Sequence, residues 1–292
     1  MNKNNKIIPK KDIVFKRLFG SVGSENILRA LLEAILEIKI ESVQLNLNKE
    51  LTRKNIKGKR NILDVLAKLD DGTLVNVEMQ MSVPRELQKR ALDYWADLYT
   101  NQLESGKDYS NLKQTIAIWI LDEDFFDELP EYHNKFVIKE NKTGNNTYFK
   151  DFELHFFELN KLRNSDILKP RKLDFWMWFI DYTNKELVEM AYRSEDEIRE
   201  AVDKLRELSS DKEIARIMFL EDIYEMDQKS LMREREEKAT ARGLEKGLKR
   251  GIKEGMKEAK KETAKKLKKM GLTNEQIAEA TELPLEEIEK IN

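Results

Sequence analysis

The chain has 292 residues, of which 53 are Lys or Arg and 55 are Asp or Glu, so its formal net charge is −2. A chain of this length forms one large domain or two smaller ones. The absence of cysteine excludes a disulfide framework, a thiolate zinc site and a catalytic thiol, and the presence of only two histidines almost excludes a histidine-based metal centre. No apolar run reaches the roughly 18 residues that a spanning helix needs, and the N-terminal segment lacks the apolar core of a signal peptide. These features predict a soluble, cytoplasmic protein without a membrane partner.

The first 160 residues or so alternate helical and strand patterns. Apolar residues at helical spacing predict a helix over 24–37, with Ser24 as its N-cap. A hairpin follows, with a strand over 61–69, a tight turn at Asp70-Asp71-Gly72 and a returning strand over 73–81. The later patterns predict a helix over 85–104, a buried strand over 115–121 and two further strands at 147–150 and 153–159.

From about residue 173 the pattern is helical. The aromatic segment 173–181 predicts a core helix rather than an aromatic ligand cage, and helices continue through 185–232. In 233–270 a glycine recurs every four residues beside a parallel stripe of apolar residues. The glycines are Gly243, Gly247, Gly251 and Gly255, and the apolar residues are Leu244, Leu248, Ile252 and Met256. Such a ridge lets a second helix approach closely, but each glycine costs a lone helix about 1 kcal/mol, so a frayed linker is the alternative.

The segment 233–270 is strongly basic. It has 15 Lys and Arg against 7 Asp and Glu, a net charge of +8, so the rest of the chain sums to −10. A basic helix can neutralise DNA phosphates without reading their sequence, or it can be an oligomerisation helix with i,i+4 ion pairs, and the two roles are compatible. Residues 271–292 have the layout of a helix-turn-helix, but the last helix is acidic, which favours a packing or interaction module over a reader of the major groove.

Two acidic residues of the hairpin are the strongest candidates for a chemical site. Because side chains alternate along a strand, Asn76, Glu78 and Gln80 share one face of the returning strand. On the first strand, Asp64 is expected to share a face with Ile62 and Leu66. Asp64 and Glu78 both stand among apolar residues, where an ionised carboxylate needs a partner or a cation. Mg²⁺ suits such a pair, because it binds one or two carboxylates together with waters and phosphates. The alternative is a surface hairpin whose acids face water.

The segment that contains Asp64 and Glu78-Met79-Gln80 resembles the PD-(D/E)XK nuclease signature, with glutamine at the usual lysine position and Leu63 at the position of the proline. The wider pattern is similar to the recombination-promoting nuclease (Rpn) family, whose glycine-every-four tail is also present. The matching segments follow the order of that family: DIVFKRLFG (12–20), ILDVLAKLDDGTLVNVEMQ (62–80), RALDYWADLYTNQLESGKDYSNLKQTIAIWIL (90–121) and HFFELNKL (155–162).

The resemblance implies an α/β fold, namely a restriction-endonuclease-like mixed sheet flanked by helices with an all-α C-terminal extension. It also implies cleavage of DNA with Mg²⁺, or alternatively Mn²⁺. Asp64 and Glu78 would bind the metal, together with the main-chain carbonyl of Met79, and Gln80 would orient or polarise the attacking water. Because glutamine carries neither a charge nor a transferable proton at neutral pH, more of the water activation would fall to the metal.

Further positions match elements seen in such nucleases. Arg90 and Tyr94, four apart on the 85–104 helix, are expected to reach the site or a phosphate; the alternative is an ordinary helix face. Glu33 lies where some relatives supply another acidic ligand, whereas Asp12 and Lys16 match the family pattern without a role that the sequence explains. The candidates for contacts with the DNA backbone are Lys57, Lys59, Arg60, Arg85 and Lys89.

The sequence therefore predicts a nuclease-like core over 1–170, a helical extension over 171–232, a basic helix over 233–270 and a short helical tail over 271–292. We predict a metal-dependent DNA endonuclease associated with transposition or recombination, which forms a homodimer through the C-terminal helix. One alternative is a catalytically silent DNA-binding or assembly protein on the same fold. Another is a coiled-coil scaffold without a nucleic-acid role.

Overall fold

A computed structural model of the chain describes residues 7–46, 50–51, 61–103, 106 and 108–291. The chain divides into two compact units, Met1–Leu220 and Glu221–Asn292. In the part of the chain that is described, no helix combines the length and the apolar character that crossing a membrane requires.

The first unit combines strands with flanking helices. Its strands are β1 (Val43–Leu45), β2 (Glu50–Leu51), β3 (Asn61–Ile62), β4 (Val65–Leu69), β5 (Leu74–Gln80), β6 (Thr115–Leu121), β7 (His133–Val137) and β8 (Phe152–Glu158). Its helices are α1 (Asp12–Phe19), α2 (Glu25–Leu36), α3 (Leu87–Thr100), α4 (Leu159–Arg163), α5 (Lys172–Asp181), α6 (Lys185–Ser194) and α7 (Asp196–Ser210). The long helix α8 (Lys212–Lys269) is followed in the second unit by α9 (Asn274–Thr281) and α10 (Leu285–Glu289).

A mixed sheet forms the centre of the first unit. The described strands follow the order β1-β4-β5-β6-β8-β7, and β2 and β3 pair separately. The pairs β5–β6 and β6–β8 are parallel, whereas β1–β4, β4–β5 and β7–β8 are antiparallel. This mixed sheet with flanking helices is a restriction-endonuclease-like α/β fold, as the sequence predicts. It places β5 inside the sheet, between β4 and β6.

Each face of the sheet has its own hydrophobic core. The first core gathers α1, α2 and α5 against apolar side chains of β4, β5 and β6, including Val65 and Val77. The second core packs α3 against the opposite face, around Leu66 and Trp119. Because side chains alternate along β5, its valines and Met79 enter the first core, and the residues between them face the side of α3.

The turn between β4 and β5 forms where the sequence predicts it. Gly72 has φ +92° and donates its N–H to the carbonyl of Leu69 at 3.0 Å. The side chain of Asp71 accepts the N–H of Thr73 at 2.8 Å. A side chain at position 72 would be strained at this positive φ, and its Cβ would lie 3.2 Å from the side chain of Lys113.

The predicted strand over 61–69 is wrong at one point, because it ends at Ile62 and resumes at Val65. Asn61–Ile62 pairs with β2 instead. The interruption changes the alternation of side chains, so that Leu63 packs in the second core and not with Val65 in the first. At the break, hydrogen bonds between backbone and side chains replace the backbone hydrogen bonds of the sheet. The N–H of Asp64 donates to Glu78, and the carboxylate of Asp64 accepts the N–H of Met79.

One other expectation, near the edge of the sheet, is corrected. No strand forms over 147–150, where the chain is exposed and irregular, and the edge strand is instead β7 (His133–Val137). The prediction that Ser24 is the N-cap of α2 is confirmed, although its hydroxyl makes no cap hydrogen bond and instead accepts one from the ammonium of Lys204. The strands over 115–121 and 153–159 and the helix over 173–181 form within one residue of their predicted bounds.

The second unit has a small core of its own, in which the C-terminal part of α8 packs with α9 and α10. The apolar side chains of this core are Ala264, Ile277, Leu283, Ile288 and Ile291. Thr273 and Gln276 form the predicted capping box, and Gly271, with φ +87°, follows the end of α8. Acidic side chains of this tail pair with lysines of α8, including Glu287 with Lys257 at 2.7 Å.

The glycine ridge of α8 is helical, and no atom lies within 4 Å of a Cβ built at any of its four glycines. The apolar stripe beside the ridge is exposed: Leu244 by 77%, Leu248 by 65%, Ile252 by 52% and Met256 by 64%. The single chain therefore leaves this face uncovered within the residues that the structure describes.

Candidate active site

The break in the first hairpin strand brings Asp64 and Glu78 together. The N–H of Asp64 donates to Oε1 of Glu78 at 3.2 Å, and Oδ2 of Asp64 accepts the N–H of Met79 at 2.9 Å. Both acids are buried, with Asp64 4% and Glu78 0% exposed. The two carboxylates that the sequence places on facing strands are thus neighbours in the fold.

Glu78 occupies an unfavourable place for a negative charge. Its Oε1 also accepts the side-chain amide of Asn76 at 3.1 Å, but its buried Oε2 has no hydrogen-bond partner among the residues that the structure describes. Burial, and secondly the nearby charge of Asp64, raise the pKa of Glu78 to about 8. An unpartnered buried carboxylate oxygen is costly, so this atom needs a proton or a cation beside it.

Asp64 also meets a cation from the opposite layer of the fold. Nζ of Lys16, on α1, lies 3.1 Å from Oδ1 of Asp64 and 2.7 Å from Oδ2 of Asp12. Burial raises the pKa of Asp64, although the attraction of Lys16 opposes that shift. Burial alone would lower the pKa of Lys16, but the charges of Asp64 and Asp12 outweigh it and raise that pKa. Lys16 is half-buried, with 29% of its side chain exposed.

The other side of the site is formed by α3. Nη1 of Arg90 donates to Oε1 of Gln80 at 3.3 Å, and Nε of Arg90 donates to the hydroxyl of Tyr94 at 3.0 Å. The guanidinium lies 4.9 Å from the ring centre of Tyr94 and 5.6 Å from that of Trp119 on β6. These cation–π contacts hold Arg90 at the end of β5, and its charge opposes the rise in the pKa of Glu78.

The oxygen atoms at this point match the preferences of a hard cation. Mg²⁺ binds oxygen ligands, and one or two carboxylates suffice when waters and substrate phosphates complete its shell. The unpartnered Oε2 of Glu78 beside Asp64 fits that requirement. Among the described residues, no group of three or more His, Asp or Glu side chains is arranged to hold a metal ion, so the site does not form an all-protein cage.

The remaining candidates from the sequence are placed as follows. Glu33 is not brought to Asp64; its carboxylate instead accepts the N–H of Ile40 and pairs with Arg29. Arg85 and Lys89 are exposed at the start of α3. The three basic residues Lys57, Lys59 and Arg60 lie outside the described residues.

The structure adds two buried residues, Asn76 and Trp119, that sequence reasoning does not name as residues of the site. Asn76 is fully buried, and it lies two residues before Glu78 on the same face. Trp119 is also fully buried and stands opposite Glu78 in the parallel register of β5 and β6. A signal for Asn76 was available, because a polar residue in an otherwise apolar strand, at even spacing from a candidate acid, shares its face. Trp119 lies in a continuous apolar strand, whose pattern contains no such signal.

Comparison with known proteins identifies the family of the chain. The family model of PD-(D/E)XK nuclease family transposases matches residues 9–235, which include every residue of the site. No curated protein and no solved structure shows a significant match to the chain. The match covers well over half of the 292 residues. The chain therefore belongs to the PD-(D/E)XK nuclease family of transposases.

Proposed function

We propose that the protein is a DNA endonuclease that uses Mg²⁺, or alternatively Mn²⁺, to hydrolyse phosphodiester bonds during transposition or recombination in the cytoplasm. The observation that carries this proposal is the unpartnered Oε2 of Glu78, buried beside the carboxylate of Asp64. Burying two adjacent carboxylates costs the fold free energy unless a cation compensates their charge.

In this proposal Asp64 and Glu78 hold the metal ion, and the main-chain carbonyl of Met79 is a further ligand. The bound metal lowers the pKa of water and neutralises charge on the scissile phosphate. The N–H of Met79 fixes the orientation of Asp64, and Asn76 fixes that of Glu78. The side chain of Gln80 orients the attacking water.

Arg90 and Tyr94 contribute from α3. Arg90 is the donor that holds the amide of Gln80, and its guanidinium is fixed between two aromatic rings. A guanidinium held in this way loses little conformational entropy when it binds a phosphate oxygen. We therefore assign to Arg90 the positioning of Gln80 and a contact with the DNA backbone, and to Tyr94 the support of Arg90.

We further propose that the C-terminal helix joins two copies of the chain and helps to hold DNA. The exposed apolar stripe from Leu244 to Met256 supports the first role, because a second copy would cover it. The net charge of +8 over 233–270 supports the second. Light scattering on a variant with serine at Leu244, Leu248 and Ile252 should show a monomer if the stripe is the interface, and an unchanged mass would refute it.

Plasmid nicking tests the main proposal. The wild-type chain should nick supercoiled plasmid in Mg²⁺ or Mn²⁺ and not in EDTA, and Asp64→Ala should abolish the nicking. Asp127→Ala is a suitable control, because it removes an exposed carboxylate from the same unit. Calorimetric titration with Mg²⁺ gives a second reading that does not depend on turnover, and Asp64→Ala should lose the binding heat.

The second candidate is a catalytically silent DNA-binding or assembly protein on the same fold. Gln80 favours it, because glutamine cannot supply the charge that the motif lysine provides. If the wild-type chain binds plasmid and leaves it intact in Mg²⁺, Mn²⁺ and Ca²⁺, this second function replaces the first.

A further inference from the structure

A charged donor stands beside the candidate metal ligands, although the position expected to provide one is glutamine. Gln80 is held by Arg90 through its side-chain oxygen and carries no charge. Lys16 belongs to α1 and precedes Gln80 by 64 positions in the chain. Its ammonium nitrogen lies 3.1 Å from Oδ1 of Asp64. Lys16 is thus a cation in direct contact with this carboxylate.

Lys16 is held in place from both ends. Its backbone belongs to α1, whose side chains Val14, Phe15 and Leu18 are fully buried in the first core. Its ammonium is also held by Asp12, one helical turn earlier, at 2.7 Å. An ammonium has three N–H donors, so these two carboxylates leave one for a further acceptor.

The exposed fractions of the three side chains indicate on which side the third N–H of Lys16 can be reached. The side chain of Asp64 is 6% exposed, that of Lys16 29% and that of Asp12 46%. The ammonium therefore lies between the buried carboxylate and solvent, where a phosphate approaching the site would pass. A half-exposed ion pair contributes little to the stability of a fold, so stability alone gives no strong reason for a lysine at this position.

We propose that Lys16 supplies the charged donor that position 80 lacks, and that it contacts the scissile phosphate while Asp12 positions it. This inference rests on the proposed nuclease function. In the reaction, a water oxygen bonds to phosphorus and the bond from phosphorus to one sugar oxygen breaks. The water gives up a proton to solvent and the leaving oxygen takes one. Lys16 keeps its protons and stabilises the negative charge that develops on the phosphate oxygens.

The test compares Lys16→Met with Arg17→Met, which removes an equal charge from the adjacent, exposed position of α1. At saturating Mg²⁺, Lys16→Met should lower the nicking rate by about 100-fold, as expected for the loss of one charged donor, and Arg17→Met should leave it unchanged. Adding Gln80→Lys to Lys16→Met should restore a large part of the rate. A purely structural role of Lys16 would not allow this rescue.

DNA binding provides a reading that does not depend on cleavage. In Ca²⁺, with a short duplex, the slope of log Kd against log salt should fall by about 0.9 in Lys16→Met, because one phosphate contact is lost. It should not change in Arg17→Met. Calorimetry should show that Lys16→Met binds Mg²⁺ at least as tightly as the wild type, since a like charge has been removed.

The failures of the two proposals are distinguishable. If the wild-type chain cuts no DNA, the nuclease function fails, and the salt slope still decides whether Lys16 contacts a phosphate. If Lys16→Met nicks at the wild-type rate, or if its salt slope equals that of the wild type, the assignment of Lys16 is overturned and its ammonium only balances the charge of Asp64.

Discussion

Replacing Glu78 by glutamine should stabilise the metal-free protein at alkaline pH. Burial and the neighbouring Asp64 raise the pKa of Glu78 from 4.5 to about 8. A carboxyl group whose folded-state pKa is raised contributes stability below its unfolded pKa, and this contribution is lost as the pH rises through the folded value. Each unit of pKa corresponds to about 1.4 kcal/mol, so at pH 9 the ionised side chain costs the fold about 5 kcal/mol.

Glutamine removes that cost without disturbing the hydrogen bonds. Its carbonyl oxygen keeps the bonds from the N–H of Asp64 and the amide of Asn76, and its NH₂ group replaces the unpartnered Oε2. In EDTA, urea unfolding should therefore show little difference between Glu78→Gln and the wild type at pH 5, and a gain of several kcal/mol for the variant at pH 9. Titrating groups that do not interact with Glu78 cancel in this difference.

A second buried glutamate provides the control. The carboxylate of Glu158 accepts the N–H groups of Phe125 and Phe126 and pairs with Lys161 at 2.8 Å. Glu158→Gln breaks a satisfied ion pair and should destabilise the protein at pH 9. If Glu78→Gln is also less stable than the wild type at pH 9, the reasoning about Glu78 is refuted. Mg²⁺ should stabilise the wild type and leave Glu78→Gln almost unchanged.

Four other outcomes follow from the contacts described. Arg90→Ala leaves Gln80 without its donor, so the nicking rate should fall by about tenfold to 100-fold. Tyr94→Phe keeps the ring beside Arg90 and should have a smaller effect. Equal rates in the wild type and both variants would show that α3 does not contribute to the site. Burial lowers the pKa of His133 to about 4, so the wild type should lose stability as the pH falls from 6.5 through that value; His133→Gln should reduce this acid loss in urea unfolding, and an identical acid profile would contradict it. Trp176→Ala empties a site that is 2% exposed and should cost about 3–5 kcal/mol in the same assay. Gly247→Ala adds a methyl group that meets no other described part of the chain within 4 Å. Loss of the proposed dimer in light scattering would therefore locate the second copy on the glycine ridge, and an unchanged dimer would place it elsewhere.

Period-two alternation and turn chemistry predict the centre of the sheet well. Gly72 fixes the turn, and the antiparallel register pairs Val65 with Val77, so that Asp64 and Glu78 come next in line on the two strands. The edge is less predictable: β7 contains polar residues and is half-buried, so its pattern resembles a loop, whereas the exposed segment 147–150 contains Tyr and Phe and resembles a strand.

The interruption at Leu63-Asp64 shows why part of the site could not be predicted. In a regular strand, alternate residues are assigned to opposite faces of the sheet, and one irregular residue exchanges the faces of all the residues on one side of it. The position of Lys16 depends on how α1 packs across the first core, which is a long-range contact and leaves no local signal. The sequence shows that residue 16 is a lysine, but it does not show that this lysine contacts Asp64.

The two cores of the first unit have a joint consequence for activity. Lys16 reaches Asp64 from the helices of the first core, and Arg90 reaches Gln80 from the helix of the second. Side chains from both layers therefore meet at the candidate site beside the break at Asp64. The proposed nuclease activity therefore requires both layers to be folded at once, so heating should abolish nicking when the weaker layer opens, before the chain as a whole has melted.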